Sequence, residues 1–390
     1  MRIVFLCNRF WPAVGGVERY VGELARALLA AGHRVVVVAG DHAGGLPARE
    51  EHKGVIIHRF PALRSPMRCR VRLLGLRRLF NHADIVHVCD TQMVEYYRRM
   101  IGWIVKPPTV CMTMHGMSCV HPVPQRELRN AHRATRYVDA VAHDGAFIGK
   151  WLRLTPDAVI PQGLRPKAGQ LPHVPEPEEP SAVYVGRLEP DTGVGLYLDA
   201  LIALRAKHGI DLPLHVYGAG SLEAALEEQA AAQGLNATFH GAVPHAQYRI
   251  SDHKLAFVSG RMAIHEAMAR RRAVVAAWCN PIRADYVGAE AFSPFILTGG
   301  SGDELAAHAA RLLGDDAYRH ELTTQALEHV RPLSWERTAE EYVRLWKGAA
   351  EHRKRWRRMP LIWRISGRLP AVSQPLVGEA AGVVAPGRTS

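Results

Sequence analysis

KLAFVSGRMAIHEAMARRR, residues 254–272, reads as a short apolar strand (254–258), a Ser259-Gly260 turn and a helix over 264–272. A helix N-terminus carries unpaired backbone N–H groups and a partial positive charge, so such a turn can receive an anion. Glu266 lies one turn further in, where a carboxylate can accept two hydroxyl hydrogen bonds from a sugar or a ribose. Taken alone, that glutamate is no more than a solvated helix-face residue. Its meaning depends on whether the same strand–turn–helix unit recurs along the chain.

It does recur. Residues 2–6 and 34–39 read as parallel strands around a helix with Val21, Leu24, Ala25, Leu28 and Leu29 at helical spacing, closed by Gly32-His33. Further strands are expected at 55–59, 85–88, 110–114 and 140–142, with a helical stretch over 91–101. Near-continuous apolar strands alternating with helices describe a doubly wound parallel sheet. Residues 164–180 (LRPKAGQLPHVPEPEEP) hold five prolines among acidic and polar residues and read as a linker. A second alternating set follows, with strands at 182–186, 214–217, 237–240, 254–258 and 273–276 and helices at 195–207, 222–233 and 264–272. The expected fold is α/β, two Rossmann-like domains (1–163 and 181–333) whose parallel sheets face a cleft. Ligands of such sheets sit beyond the carboxyl ends of the strands. Ser334 reads as the N-cap of a helix over 334–350 with Ala339, Tyr342, Val343 and Trp346 on one face, and 351–390 as a basic, partly disordered tail.

Composition narrows the partners. The 390 residues carry a net charge of +12, which calls for anionic partners. The charge is concentrated in Arg64 to Arg78 (RSPMRCRVRLLGLRR) and Arg353 to Arg358 (RKRWRR), where arginine is interleaved with Leu, Val or Trp. That mixture suits an anionic membrane surface; nucleic acid is not expected, because no helix-turn-helix, zinc-finger or RRM signature accompanies the charge. Six scattered cysteines without a C-x-x-C pair argue for reduced thiols and against a structural zinc. The first residues are too weakly apolar for a signal peptide, and no run of about 18 apolar residues spans a membrane. The expected location is cytoplasmic, peripheral on the inner face of the membrane.

Four loops at strand ends can carry chemistry. Gly15 and Gly16 lie between the first strand and helix, where small residues allow close backbone approach to a phosphate. Arg187 follows the first strand of the second half and can grip a diphosphate bidentately. Gly218 and Gly220 follow the next strand, and His115 ends the strand at 110–114, where a neutral imidazole can donate to a sugar hydroxyl. There is neither a Walker A lysine nor a G-x-G-x-x-G fingerprint.

In order and spacing, GGVE and GHRVVVVAG, TMHG, VIPQG, VGRLEPDTG, VYGAG, HEAMA with VVAAW, and SWERTAEEY resemble the family-four retaining glycosyltransferases of the GT-B class over about residues 1–350. The resemblance implies a nucleoside-diphosphate sugar as donor, no required cofactor or bound metal, and a lipid-linked or glycan acceptor. It implies that Glu266 holds the ribose hydroxyls, that Arg187 and the backbone at Gly16 neutralise the diphosphate, and that His115 sits beside the transferred sugar. The attacking hydroxyl would lose its proton to a phosphate oxygen of the leaving group. Two positions depart from the family pattern. Thr192 stands where a lysine precedes the loop glycine, and Val258 stands where a second glutamate precedes Glu266 by eight residues. Arg261, at the helix start, is the candidate to restore the missing charge, with Met262 beside it among the donor-binding residues. The competing readings are a catalytically silent relative that binds nucleotide, a partner or a membrane, and a sugar-nucleotide epimerase of the same architecture.

Overall fold

The computed structural model describes residues 1–13, 15–61, 66–100, 108–166, 170–171 and 174–358. Two sheets organise them. The first contains β1 (Arg2–Cys7), β2 (Arg34–Gly40), β3 (Arg49–His52), β4 (Val55–Phe60), β5 (Ile85–Val88), β6 (Thr109–Met114), β7 (Ala140–His143) and β8 (Ala158–Val159), in the order β3-β4-β2-β1-β5-β6-β7-β8. The second contains β9 (Ala182–Val185), β10 (Leu214–Tyr217), β11 (Ala237–Phe239), β12 (Leu255–Phe257), β13 (Ala273–Ala277) and β14 (Leu297–Gly299), in the order β11-β10-β9-β12-β13-β14. All pairings are parallel except the antiparallel edge pair of β3 with β4. Both sheets reverse strand order beside their first strand, which opens a crevice at the carboxyl ends.

The helices are α1 (Gly16–Ala30), α2 (Pro66–Gly75), α3 (Arg77–His82), α4 (Thr91–Met100), α5 (Gln125–Thr135), α6 (Ala146–Leu152), α7 (Gly195–Ala203), α8 (Glu223–Ala232), α9 (Arg261–Ala269), α10 (Pro281–Gly288), α11 (Gly302–Gly314), α12 (Asp316–Val330) and α13 (Trp335–Arg358). Because successive strand side chains point to opposite faces, the apolar runs build a core on each side of each sheet. In the first sheet Phe5 and Val37 meet α1 and α13, while Leu6, Val88 and Met112 meet α2 to α6. In the second, Tyr184, Phe257 and Val275 lie under α7, α8 and α11, and Val183, Ala256 and Val274 under α9, α10 and α12.

Several elements differ from the sequence expectation. Helix α9 starts at Arg261 rather than Ile264 and ends at Ala269, because the Arg261 amide donates to the Tyr286 hydroxyl at 2.8 Å and so gains a tertiary partner for the first turn. Helix α13 runs on to Arg358, through part of the expected tail, with Arg353 tied to Asp139. Residues 359–390, and parts of the 164–180 linker, lie outside the described residues, as do Arg64 and Ser65 of the first basic stretch. None of the six cysteines forms a disulfide, and five of them are buried.

Although it follows the second domain, α13 packs on the first, and a buried polar chain fixes it there. Trp346 Nε1–H can only donate, so it sets His87 Nδ1 as the acceptor, at 3.0 Å. The ring proton therefore sits on His87 Nε2 and goes to Thr113 Oγ1 at 2.9 Å. Thr113 in turn reaches the Tyr342 hydroxyl at 2.8 Å, which meets the Tyr20 hydroxyl at 3.1 Å. A second proton on His87 would point at the Trp346 N–H. Burial, with the charge of His115, accordingly pushes the His87 pKa down from 6.5 to about 3.

Between those two values the unfolded chain takes up a proton that the folded chain refuses. The stability contributed by the neutral ring is complete above about pH 6.5 and is lost as pH falls toward 3. His143 and His253, held near 4, and His265, near 3, act in the same direction, chiefly through burial. The denaturation midpoint should therefore fall steadily from pH 6.5 to 4.5, and a flat profile would contradict the buried neutral imidazoles. Tyr342→Phe should cost about 1–3 kcal/mol by denaturant titration at pH 7.5, the range for removing one partner from a buried hydrogen-bonded pair.

Candidate active site

The carboxyl ends of β1, β6 and β7 in the first domain and of β9, β10 and β12 in the second deliver most of the residues singled out above. Glu266, in the second turn of α9, is buried. Its partner comes from the other domain: Arg19 Nη2, in the first turn of α1, lies 2.5 Å from Glu266 Oε1. Arg19 stands three residues after Gly16, so it shares a helix face with the N-terminus that the glycines open. Gly15 is the N-cap of α1 in an extended conformation and supplies no side-chain cap, while a Cβ on Gly16 would meet open space. Gly15 thus gives the first amides of α1 no side-chain cap of its own, the Glu18 carboxylate lies against it, and Arg19 beside them points across the boundary.

His115 follows β6, and its Nδ1 stands 3.6 Å from Asp144 Oδ2, the residue that follows β7. The Tyr20 ring packs edge-on against the imidazole with centroids 4.5 Å apart, so the polar chain from α13 ends at His115. Burial pushes the Asp144 carboxyl up, but the nearby His115 ring and the charges of Arg261 and His143 outweigh this and leave it below the usual carboxylate range. Arg261 reaches this group from the second domain. Its buried guanidinium pairs with Glu290 at 3.3 Å and lies over the Tyr286 and Phe147 rings at 5.3 and 6.0 Å. Burial opposes its charge, yet Asp144, Tyr286 and Glu290 hold it above the usual arginine range. A side chain at Gly145 would collide with it.

Helix α6 completes the seam between the domains. The Phe147 amide donates to Glu290 Oε1 at 3.3 Å, Trp151 Nε1 donates to Asp285 Oδ2 at 2.7 Å, and Lys150 Nζ lies 2.6 Å from the same carboxylate. Asn280 Nδ2 adds a bond to the Cys119 carbonyl at 3.0 Å. Met262, placed by sequence among the donor-binding residues, packs against the hydrophobic cluster of the first domain.

The loop after β9 is internally paired. Arg187 Nη2 holds Asp191 at 2.9 Å, and Arg283 from α10 binds the same carboxylate from the other side. Thr192 Oγ1 bonds the carbonyls of Glu189 at 2.7 Å and Arg187 at 3.2 Å, so this position locks the loop and offers no charge. Gly218 and Gly220 explain why the neighbouring loop needs glycine. A Cβ at Gly218 would stand 1.8 Å from the Gly186 carbonyl oxygen, and one at Gly220 would stand 2.2 Å from that of Leu188. Close packing of the two loops requires both. Val258 is fully buried in the core under α9.

The structure therefore brings Glu266 to the α1 N-terminus and places Arg261 beside His115 through Asp144; Arg187 keeps to its own loop. Sequence reasoning missed Arg19, Asp144, Arg283 and Glu290. Asp144 carried a signal, since H-D-G directly follows an apolar strand just as M-H-G does at His115. Arg19 carried another in its spacing from Gly16. Among the described residues no three His, Cys, Asp or Glu side chains come together as a metal-ligand set.

Comparison with known proteins accords with this geometry. Residues 14–164 match the family model for Glycosyltransferase Family 4, and residues 179–315 match that for Glycosyl transferases group 1. A GDP-mannose-dependent alpha-mannosyltransferase of Mycolicibacterium smegmatis is 32% identical over 104 residues, a match spanning 25% of this chain and 28% of that relative. Sucrose-phosphate synthase from Thermosynechococcus elongatus superposes with a TM-score of 0.70 at 18% identity, covering 89% of this chain and 99% of the other. Anabaena HepE, solved with UDP, superposes with a TM-score of 0.69 at 15% identity over 89% and 100% of the two chains. At these identities the solved structures speak for the fold, and the family models for the class. The chain has the GT-B fold and belongs to family four of the glycosyltransferases.

Proposed function

We propose that the chain moves a sugar from a nucleoside diphosphate to an acceptor hydroxyl on a lipid or glycan precursor, with retention at the anomeric carbon. The observation that carries the reading is the buried Glu266 carboxylate facing the N-terminus of α1. Ribose hydroxyls donate to Glu266. The diphosphate meets the α1 amides at Gly15 and Gly16 on one side and Arg187 on the other, with Gly218 and Gly220 supporting the Arg187 loop from behind. His115, oriented by Asp144, stands beside the sugar, and Arg261 sets the charge of that wall. The bond from the anomeric carbon to the β-phosphate oxygen breaks as the acceptor oxygen bonds to the same face, and the acceptor proton passes to the departing phosphate. Guanidinium groups and helix amides stabilise that leaving group, so the chain's own residues supply the charge without a metal.

The similar proteins include one named for GDP-mannose and one solved with UDP. Thermal-shift screening against UDP, GDP and ADP sugars identifies the donor, since a ligand that binds the native state raises its melting temperature. Glu266→Ala should then weaken the binding of that nucleotide at least about tenfold, the loss expected for hydrogen bonds to a charged group, and abolish transfer to membrane-extract acceptors. Unaltered nucleotide binding in that variant would refute the site. Binding without transfer from any donor would mark a silent relative, consistent with Thr192 and Val258.

The acceptor side of the proposal rests on the first domain. Helix α2 presents Met67, 79% exposed, and Val71, 66% exposed, one turn apart. Exposed Arg68, Arg70, Arg77 and Arg78 flank them, and α5 adds exposed Arg126, Arg129, Arg133 and Arg136 on the same side of the sheet. Apolar residues that project from a basic helix suit the plane of an anionic bilayer. Arg353 of the second basic stretch, by contrast, is committed to Asp139. Among the described residues no helix is long and apolar enough to cross a membrane. We therefore expect peripheral association with the inner face of the membrane, in the cytoplasm. Flotation with vesicles containing phosphatidylglycerol should recover the protein, and the double change Met67→Ser and Val71→Ser should release most of it. Equal recovery with neutral phosphatidylcholine vesicles would contradict the assignment.

A further inference from the structure

We propose that Arg19 is a second cation of the donor diphosphate site, delivered by the first domain and held on Glu266 until the ribose arrives. The inference rests on the reading of Glu266 as the ribose ligand. Position 192, where the family pattern has a lysine, holds a threonine whose hydroxyl is bound to two loop carbonyls. The neighbouring arginines, Arg187 and Arg283, share the single carboxylate of Asp191. The loop after β9 therefore offers less positive charge than a departing diphosphate requires. Arg19 sits in the first turn of α1, beside an N-terminus whose cap residue, Gly15, has no side chain, and its own side chain is 38% exposed.

The Glu266 side chain is 8% exposed, and such a buried carboxylate needs a counter-charge, which Arg19 supplies at 2.5 Å. Two ribose hydroxyls can satisfy the same carboxylate oxygens. Arg19 then loses its partner within one side-chain length of the α1 amides, where its forked donors match phosphate geometry. The exchange is balanced only for a ligand that carries both groups: ribose takes the carboxylate, and the β-phosphate takes the arginine. A nucleoside monophosphate displaces Arg19 and returns less.

Isothermal titration with UDP, GDP and ADP, and with UMP, GMP and AMP, tests this on wild type, Arg19→Met, Arg19→Lys and Glu266→Gln. Arg19→Met should weaken the preferred diphosphate by about tenfold and change its monophosphate by less than about twofold, the loss of one charge-assisted bond, with Arg19→Lys in between. Equal loss for diphosphate and monophosphate, or an unchanged ratio between them, overturns the proposal. If instead Glu266→Gln leaves every nucleotide unaffected, the ribose reading itself fails, whatever Arg19 does.

Discussion

A carboxylate taken out of water must be paired, and Glu266 finds its partner in the other domain. Much of the molecule can be understood from that requirement. Three residues (258–260) separate strand β12 from α9, so α9 begins at the cleft and carries Glu266 into it. Strand β1 ends in the glycine loop, so α1 begins opposite and carries Arg19. Parallel sheets put both events at carboxyl ends, and the two helices face each other because the two sheets do. A second charge group, Arg261 with Glu290 and Asp144, repeats the arrangement further along the same seam.

Paired charges across a boundary are weak fasteners unless the elements that carry them are rigid. Here the rigidity has an identifiable source. Helix α13 leaves the second domain and seats Tyr342 and Trp346 in the core of the first, where the run from His87 through Thr113 to Tyr20 gives the Thr113 and Tyr342 hydroxyls two partners each. Tyr20 is the residue after Arg19, and its ring abuts His115. The side chains expected to meet ribose and sugar are thus braced by the segment that also ties the domains together. Helix α6 does the same from below through Trp151, Phe147 and Asp285.

Local pattern was enough for the strands and helices with an apolar period. RIVFL and RVVVVAG are buried on both faces, and the α1 stripe of Leu24, Ala25 and Leu28 is core. The pattern was silent where structure depends on partners distant in sequence. REEH becomes β3 only by backbone pairing at the sheet edge, with polar side chains that carry no strand signal. The start of α9 at Arg261 depends on the Tyr286 hydroxyl. Helix α11 did carry a local sign, Ser301 capping Glu304 three residues on, which the sequence reading passed over. At the site, single residues after strands were legible, whereas their pairings were not. Glu266 was found without Arg19 and His115 without Asp144, because each partner comes from a different strand or domain. Gly218 and Gly220 were legible only as loop glycines after a strand; the structure shows a neighbouring loop packed against both.

Whether Glu266 receives the donor ribose can be read by deleting a ribose hydroxyl from the nucleotide. Binding of UDP and GDP can be compared with binding of their 2′-deoxy forms in wild type and in Glu266→Ala. The missing hydroxyl should weaken wild-type binding of the preferred nucleotide by about tenfold, as for a hydrogen bond to a charged group, and the penalty should vanish in the variant. The same penalty in both proteins would place the ribose elsewhere and contradict the account.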